Sequence, residues 1–170
     1  MMRKTRLGWR IFVVVVVSIG MQMSYAANNT AVVVTGCSLS PIPAATMVFS
    51  TNLLVGLQST TSFLLNCNVS GNTGNAKITI DLSAGNSGSV SQRNQIQGTT
   101  ANVLTYNLYK DSSYLNLWGN TTATQYSQNV SANIVNQLFT VYGRIDSTTA
   151  NQSQPVGTYS DPIITASVNW

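Results

Sequence analysis

The sequence predicts an all-β sandwich. Three observations carry that prediction. Short runs alternate apolar and polar residues, stretches rich in Asn, Gly, Ser and Thr separate them, and no segment holds a helical period. Short strands with one apolar face each are buried by packing in two layers.

The first 26 residues are set apart from that fold. Arg3, Lys4, Arg6 and Arg10 make a basic start, residues 11–17 are apolar, and the run continues weakly through Ile19, Met21 and Met23. Ser24-Tyr25-Ala26 supplies small residues at the spacing a signal peptidase requires. A membrane-spanning helix needs about 20 uninterrupted apolar residues, and this run is shorter. Residues 1–26 are therefore read as a cleaved signal peptide, with a mature chain beginning near Ala27. They are excluded from the fold prediction.

Cys37 and Cys67 are the two cysteines. In an exported chain such a pair reads as a disulfide. The loop it closes, about 30 residues, corresponds to about 3–4 kcal/mol of chain entropy. Residues 62–69 form the first clear strand, with Phe63, Leu65, Cys67 and Val69 on one face. A bridge from Cys67 on that face is expected to pin two layers together. Asn72-Thr73-Gly74-Asn75 reads as a hairpin turn into residues 76–82, where Ala76, Ile78, Ile80 and Leu82 share a face. Residues 83–98 read as a polar loop. Residues 103–109 are a strand with Leu104, Tyr106 and Leu108 on one side, and 114–118 a short strand. Residues 121–131 read as loop, 137–142 as strand and 148–157 as turn. Residues 162–170 form the last strand, with Ile164, Ala166, Val168 and Trp170 facing one way. This gives about six main strands after Cys37, where an immunoglobulin-type sandwich has at least seven.

Composition excludes several functions. The net charge is +4, but the excess lies in the first ten residues. Beyond them Lys77, Arg93, Lys110 and Arg144 balance Asp81, Asp111, Asp146 and Asp161, so no basic patch exists for nucleic acid. Charged residues are 7% of the chain, against about 25% in ordinary soluble proteins, so amides and hydroxyls hydrate the surface. Without His or Glu, no Ser-His-Asp or Cys-His arrangement or His/Cys metal set is available, and a paired-carboxylate hydrolase would need folding to bring two of the four scattered Asp together. No glycine-rich phosphate loop is present. The expectation is a protein that is not an enzyme and needs no cofactor or metal. Phe63, Tyr106, Trp118, Phe139 and Tyr142 read as core rather than as a sugar platform.

Five segments together resemble one family. They are Cys37 followed by Phe49 and Cys67; Ile78-Thr79-Ile80-Asp81-Leu82-Ser83-Ala84-Gly85; Leu104-Thr105-Tyr106-Asn107-Leu108-Tyr109-Lys110-Asp111, completed by Trp118-Gly119; Thr140-Val141-Tyr142-Gly143-Arg144-Ile145; and Pro155-Val156-Gly157-Thr158-Tyr159-Ser160-Asp161. In this order they resemble the spore coat protein U domain family, whose pilus members are the Csu-type subunits of archaic chaperone–usher pili. The resemblance implies an incomplete immunoglobulin-like β-sandwich lacking its final strand, completed by donor-strand exchange. A periplasmic pilus chaperone lends a strand first, and the N-terminal extension of a neighbouring pilus subunit replaces it at the outer-membrane usher. It implies a subunit exported to the periplasm and then to a surface fibre, serving adhesion and biofilm formation. On this reading residues 27–36 are the donor segment, centred on Ala31, Val32, Val33 and Val34, and residues 37–170 are the pilin domain. That donor is short for the family. Ile164, Ala166, Val168 and Trp170 form one wall of the acceptor groove. Two alternatives stand beside it: a spore- or cell-coat protein assembling by the same strand exchange, and a secreted carbohydrate-binding sandwich acting as a monomer.

Overall fold

The computed structural model describes residues 14–17, 30–41, 56–161 and 163–170, with 14–17 and 41 described by their backbone. The predicted cleavage site at Ser24-Tyr25-Ala26, the start at Ala27 and Phe49 lie outside them. Among the described residues nine strands, one 3-10 turn (Gly85–Ser87, between β4 and β5) and one α-helical turn follow in order: β1 (Val14–Val17), β2 (Val33–Pro41), β3 (Leu57–Ser70), β4 (Ala76–Leu82), β5 (Arg93–Ile96), β6 (Val103–Tyr109), β7 (Tyr126–Val130), β8 (Ile134–Ile145), α1 (Thr149–Gln152) and β9 (Thr165–Asn169). They make two sheets, one in the order β2-β3-β8-β6-β5 and one in the order β1-β9-β4-β7. The all-β sandwich is thus the fold. Every pairing is antiparallel except that of β1 with β9. Among the described residues no helix is long and apolar enough to cross a membrane.

The long antiparallel pair β3–β8 is the centre of the larger sheet. Phe63 lies opposite Phe139 and Leu57 opposite Ile145. Period-two burial along both strands turns Phe63, Leu65, Cys67, Phe139 and Val141 inward. A register shift between Leu65 and Cys67 interrupts the ladder, and the Asn66 side-chain oxygen accepts a hydrogen bond from the Asn136 amide at 2.8 Å. Phe63 stacks on Phe139 at 5.5 Å between centroids, and Tyr126 of β7 meets Phe139 edge-on at 4.9 Å. Trp118 packs against Phe63, Tyr126 and Phe139, and its indole N–H donates to the Ile80 carbonyl at 2.9 Å. This aromatic cluster joins the two layers, so core packing is the role of Phe63, Trp118 and Phe139.

Several elements differ from the sequence expectation. The turn after β3 is not a hairpin, because β3 and β4 lie in different sheets. Its backbone bonds residues upstream instead. The Asn72 and Thr73 amides donate to the Thr30 carbonyl, and the Val32 amide donates to the Thr73 carbonyl at 2.9 Å. Residues 114–118 are not a strand. Asp111 accepts hydrogen bonds from the amides of Ser113, Leu115 and Asn116, which curls the segment and sets Tyr114 at φ 58°. The stretches read as loops contain β5 and β7. The disulfide joins Cys37 to Cys67, both buried. It does not pin the two layers: the cysteines lie directly opposite each other on neighbouring strands of one sheet. The bridge therefore fastens the edge strand β2 to β3.

Candidate functional site

The terminal strand β9 is short, buried on its inner face and mounted on one side. Ile164 and Ala166 are 1% exposed and Val168 is 0% exposed, while Trp170 packs against the core half-buried. Ile164, Ala166, Val168 and Trp170 thus all turn toward the core. On the β4 side, Ile80 lies opposite Val168 and Leu82 opposite Ala166. At the first residue of β9, the Thr165 amide donates to the Ser83 hydroxyl and the Ser83 amide donates to the Thr165 carbonyl, each at 2.9 Å. The Asn169 side-chain amide donates to Asp81 at 2.9 Å. Burial pushes the Asp81 carboxyl above the usual range, and that hydrogen bond opposes the shift.

A buried polar clamp fixes the entry to β9. Arg93, 0% exposed, donates to the carbonyls of Leu82, Ser83, Val90 and Trp118. Burial pulls its guanidinium down to about 10, so it stays charged at neutral pH. Asp161 is equally buried and accepts from the Tyr106 hydroxyl at 2.9 Å and from the Asn86 amide. Burial raises the Asp161 carboxyl, with the Tyr106 hydrogen bond opposing, and burial also raises the Tyr106 phenol. Gly85 has φ +63°, and a Cβ there would stand 2.0 Å from the Asp161 carboxylate. The clamp draws together Leu82-Ser83, Gly85, Tyr106, Trp118 and Asp161, which come from three of the five segments singled out in the sequence. Arg93 itself lay unnoticed in a presumed loop. Its one available signal was scarcity, since it is one of four cations after the first ten residues.

The far edge of β9 is different. Backbone groups in a strand alternate in direction, each residue presenting its N–H and C=O to the same side. Thr165 is bonded to Ser83, so Ser167 also faces β4, and Ala166 and Val168 present their backbone groups away from it. Among the described residues that outer edge is met by β1, in parallel register, with Val14 opposite Thr165 and Val17 opposite Val168. The segment excluded from the fold prediction thus supplies β9's second neighbour.

The expected donor residues lie at the opposite sheet's edge. Val33 and Val34 begin β2, paired with Ser70 and Val69. Val32 and Val34 are buried, whereas Val33 is 38% exposed. Ala31 bridges Thr73, and a Cβ on Gly71 would stand 2.1 Å from the Ala31 carbonyl oxygen. The register of β2 shifts between Val34 and Gly36, just before Cys37 is bonded to Cys67. Any displacement of residues 30–35 must therefore stop at Cys37.

A separate recess of about 230 Å³ lies between β6, the end of β8 and α1, lined by Thr105, Asn107, Asp146 and Thr148 among others. Its main amide is committed to the fold. The Asn151 side chain accepts from the Thr105 amide and donates to the Thr105 and Asp146 carbonyls. Asn107 Oδ1 is buried with no hydrogen-bond partner among the described residues. No three His, Cys, Asp or Glu side chains among the described residues group as a metal site. The arrangement that stands out is thus a strand edge with a rigid mount on one side.

The Spore Coat Protein U domain profile matches residues 23–166. The chain belongs to the Spore Coat Protein U domain family. That match spans β2 to β8 and the start of β9. Membership is consistent with a structural subunit of coat or pilus type. No curated protein matches the chain.

Proposed function

We propose that this chain is a structural subunit of a bacterial surface pilus, assembled by the chaperone–usher route and serving adhesion and biofilm formation. The observation that supports this most is the outer edge of β9. Its inner face is fully buried, its β4 side is bonded, and the backbone groups of Ala166 and Val168 point to a side met by a strand from the predicted leader. With the leader removed, that edge is a template for an added strand. Strand addition supplies affinity through main-chain hydrogen bonds and register through alternating side chains. A periplasmic chaperone fills the edge first, an outer-membrane usher collects the complex, and a neighbouring subunit's N-terminal segment replaces the chaperone. Ala31 to Val34 serve as donor after they detach from the Thr73 turn and from Val69 and Ser70 of β3, with the bulge before Cys37 as hinge. A coat protein would assemble by the same exchange.

The test begins with the chain from Ala27. Alone, it is expected to aggregate or fold poorly, because buried backbone groups stay unpaired. Co-expressed with the cognate chaperone, it is expected to form a one-to-one complex. A copy of residues 29–35 appended after Trp170 through a short turn should instead give a stable monomer. Cooperative unfolding of the unaided mature chain with ordinary domain stability would overturn the reading. Val33→Asp is a sharper probe, since Val33, like Ala31, is exposed in this chain and its loss should cost the fold less than about 1 kcal/mol. In an apolar groove the added charge costs several kcal/mol, so this variant should bind chaperone but fail to enter fibres. Normal incorporation would remove Val33 from the donor role.

A further inference from the structure

We propose that in the unprocessed chain Val14–Val17 is a cis-acting cap for β9, and that removal of the leader is what opens the edge. The inference rests on the reading of β9 as an acceptor. Its own support is the backbone pairing. β1 runs parallel to β9 and covers Thr165 to Val168, four of the five residues of that strand. The residues whose N–H and C=O point away from β4, Ala166 and Val168, lie within the covered stretch.

The sequence of the cap fits a temporary occupant. Val is among the residues best suited to a strand, and the run holds neither Gly nor Pro. With four identical residues, a slip of one position changes nothing in what the strand offers, so the cap has no preferred register of its own. Parallel pairing is slightly weaker per residue than antiparallel pairing, and four residues are few. Such a cap covers the edge without competing against a longer, sequence-matched strand. Its position before the predicted cleavage site couples its loss to export. Until processing, one copy is kept from pairing with another through β9. Afterwards the same edge is available to a partner.

Amide hydrogen exchange on the oxidised full-length chain, refolded with residues 1–26 retained, tests this. The Ala166 and Val168 amides should be protected, with Ser167, bonded on the β4 side, as internal control. Val16→Pro removes the cap's backbone donor that the parallel register aims at the Ala166 carbonyl, and it disfavours the strand. It should lower protection at Ala166 and Val168 at least tenfold and leave Ser167 unchanged. If that variant does not refold, a protease site between Val17 and Thr30, cut after folding of the otherwise native chain, gives the same comparison. Equal protection with and without the cap would overturn the proposal. A synthetic peptide of residues 29–35 separates it from the acceptor reading. Loss of protection on opening, followed by no rescue from peptide or chaperone, keeps the cap and removes the acceptor. Rescue at the same rate in capped and opened chains removes the cap and keeps the acceptor.

Discussion

The centre of the larger sheet and the edge of the smaller one are built from the same kinds of residue but to opposite ends. At the centre, β3 and β8 run 14 and 12 residues, each paired on both sides, with an aromatic cluster beneath and a disulfide beside them. At the edge, β9 has five residues, and its second neighbour is the four-residue β1. The inner faces are equally buried. What differs is the backbone: at the centre both strands have neighbours on either side from the same domain, and at the edge the outward groups of Ala166 and Val168 face residues 14–17. Long strands flanked on both sides thus mark the centre, while the short β9 is held on one side by β4 and by the Arg93 and Asp161 clamp.

The largest expected effect breaks the centre. Trp118→Ala removes a side chain that is 1% exposed and touches Phe63, Tyr126 and Phe139, and it leaves the Ile80 carbonyl without its indole donor. A loss of about 3–5 kcal/mol is expected, read from the urea midpoint of the full-length oxidised chain. A loss below about 1 kcal/mol would mean that the layers are held together elsewhere.

Next comes the double change Cys37→Ser with Cys67→Ser. It should cost about 3–4 kcal/mol from the released loop. Because the bridge joins neighbouring strands, the change should loosen β2 first and leave the β3–β8 ladder protected. Simultaneous loss of protection in both sheets would argue instead for a role between the layers.

The smallest effect concerns pH and sharpens the contrast between clamp and surface. Folding raises the Asp81 and Asp161 carboxyls through burial, so the folded state binds more protons. Their contribution grows as pH falls through their raised values and is complete below the ordinary value of 3.8. Asp111 behaves oppositely. Its hydrogen bond from the Ser113 hydroxyl holds it down to about 2, so its contribution is present above 3.8 and lost between 3.8 and 2. The melting temperature should rise slightly from pH 7 toward 4 and fall below it. Asp161→Asn should flatten the upper limb and Asp111→Asn the lower one. A steady fall from pH 7 downward would contradict the burial of the clamp.

The strands with inward apolar residues were legible. Residues 62–69, 76–82, 103–109 and 137–142 all fall within observed strands, though β3 and β8 extend well beyond them. β5 and β7 were not legible, and for a common reason. β5 turns Arg93 and Gln95 inward, and β7 is Tyr126-Ser127-Gln128-Asn129-Val130, so neither alternates apolar with polar. Arg93 is tolerable inside only because carbonyls from four positions converge on it, a fact of distant chain segments. The loop at 114–118 misled in the other direction. Its apolar residues alternate, but the Asp111 carboxylate gathers the local amides into a turn.

By itself the sequence determined the all-β class, the cysteine pair, the apolar face of the terminal strand and the family. These depend on side-chain pattern, residue identity and order along the chain. Only the tertiary structure decided that β3 and β4 belong to different sheets, that the disulfide joins neighbours in one sheet, that residues 31–34 pair with the Thr73 turn and the end of β3, and that Val14–Val17 meets β9. Strand partners are chosen by backbone groups that every residue carries alike, so the alternation of side chains marks which face is buried and leaves open which edge meets which.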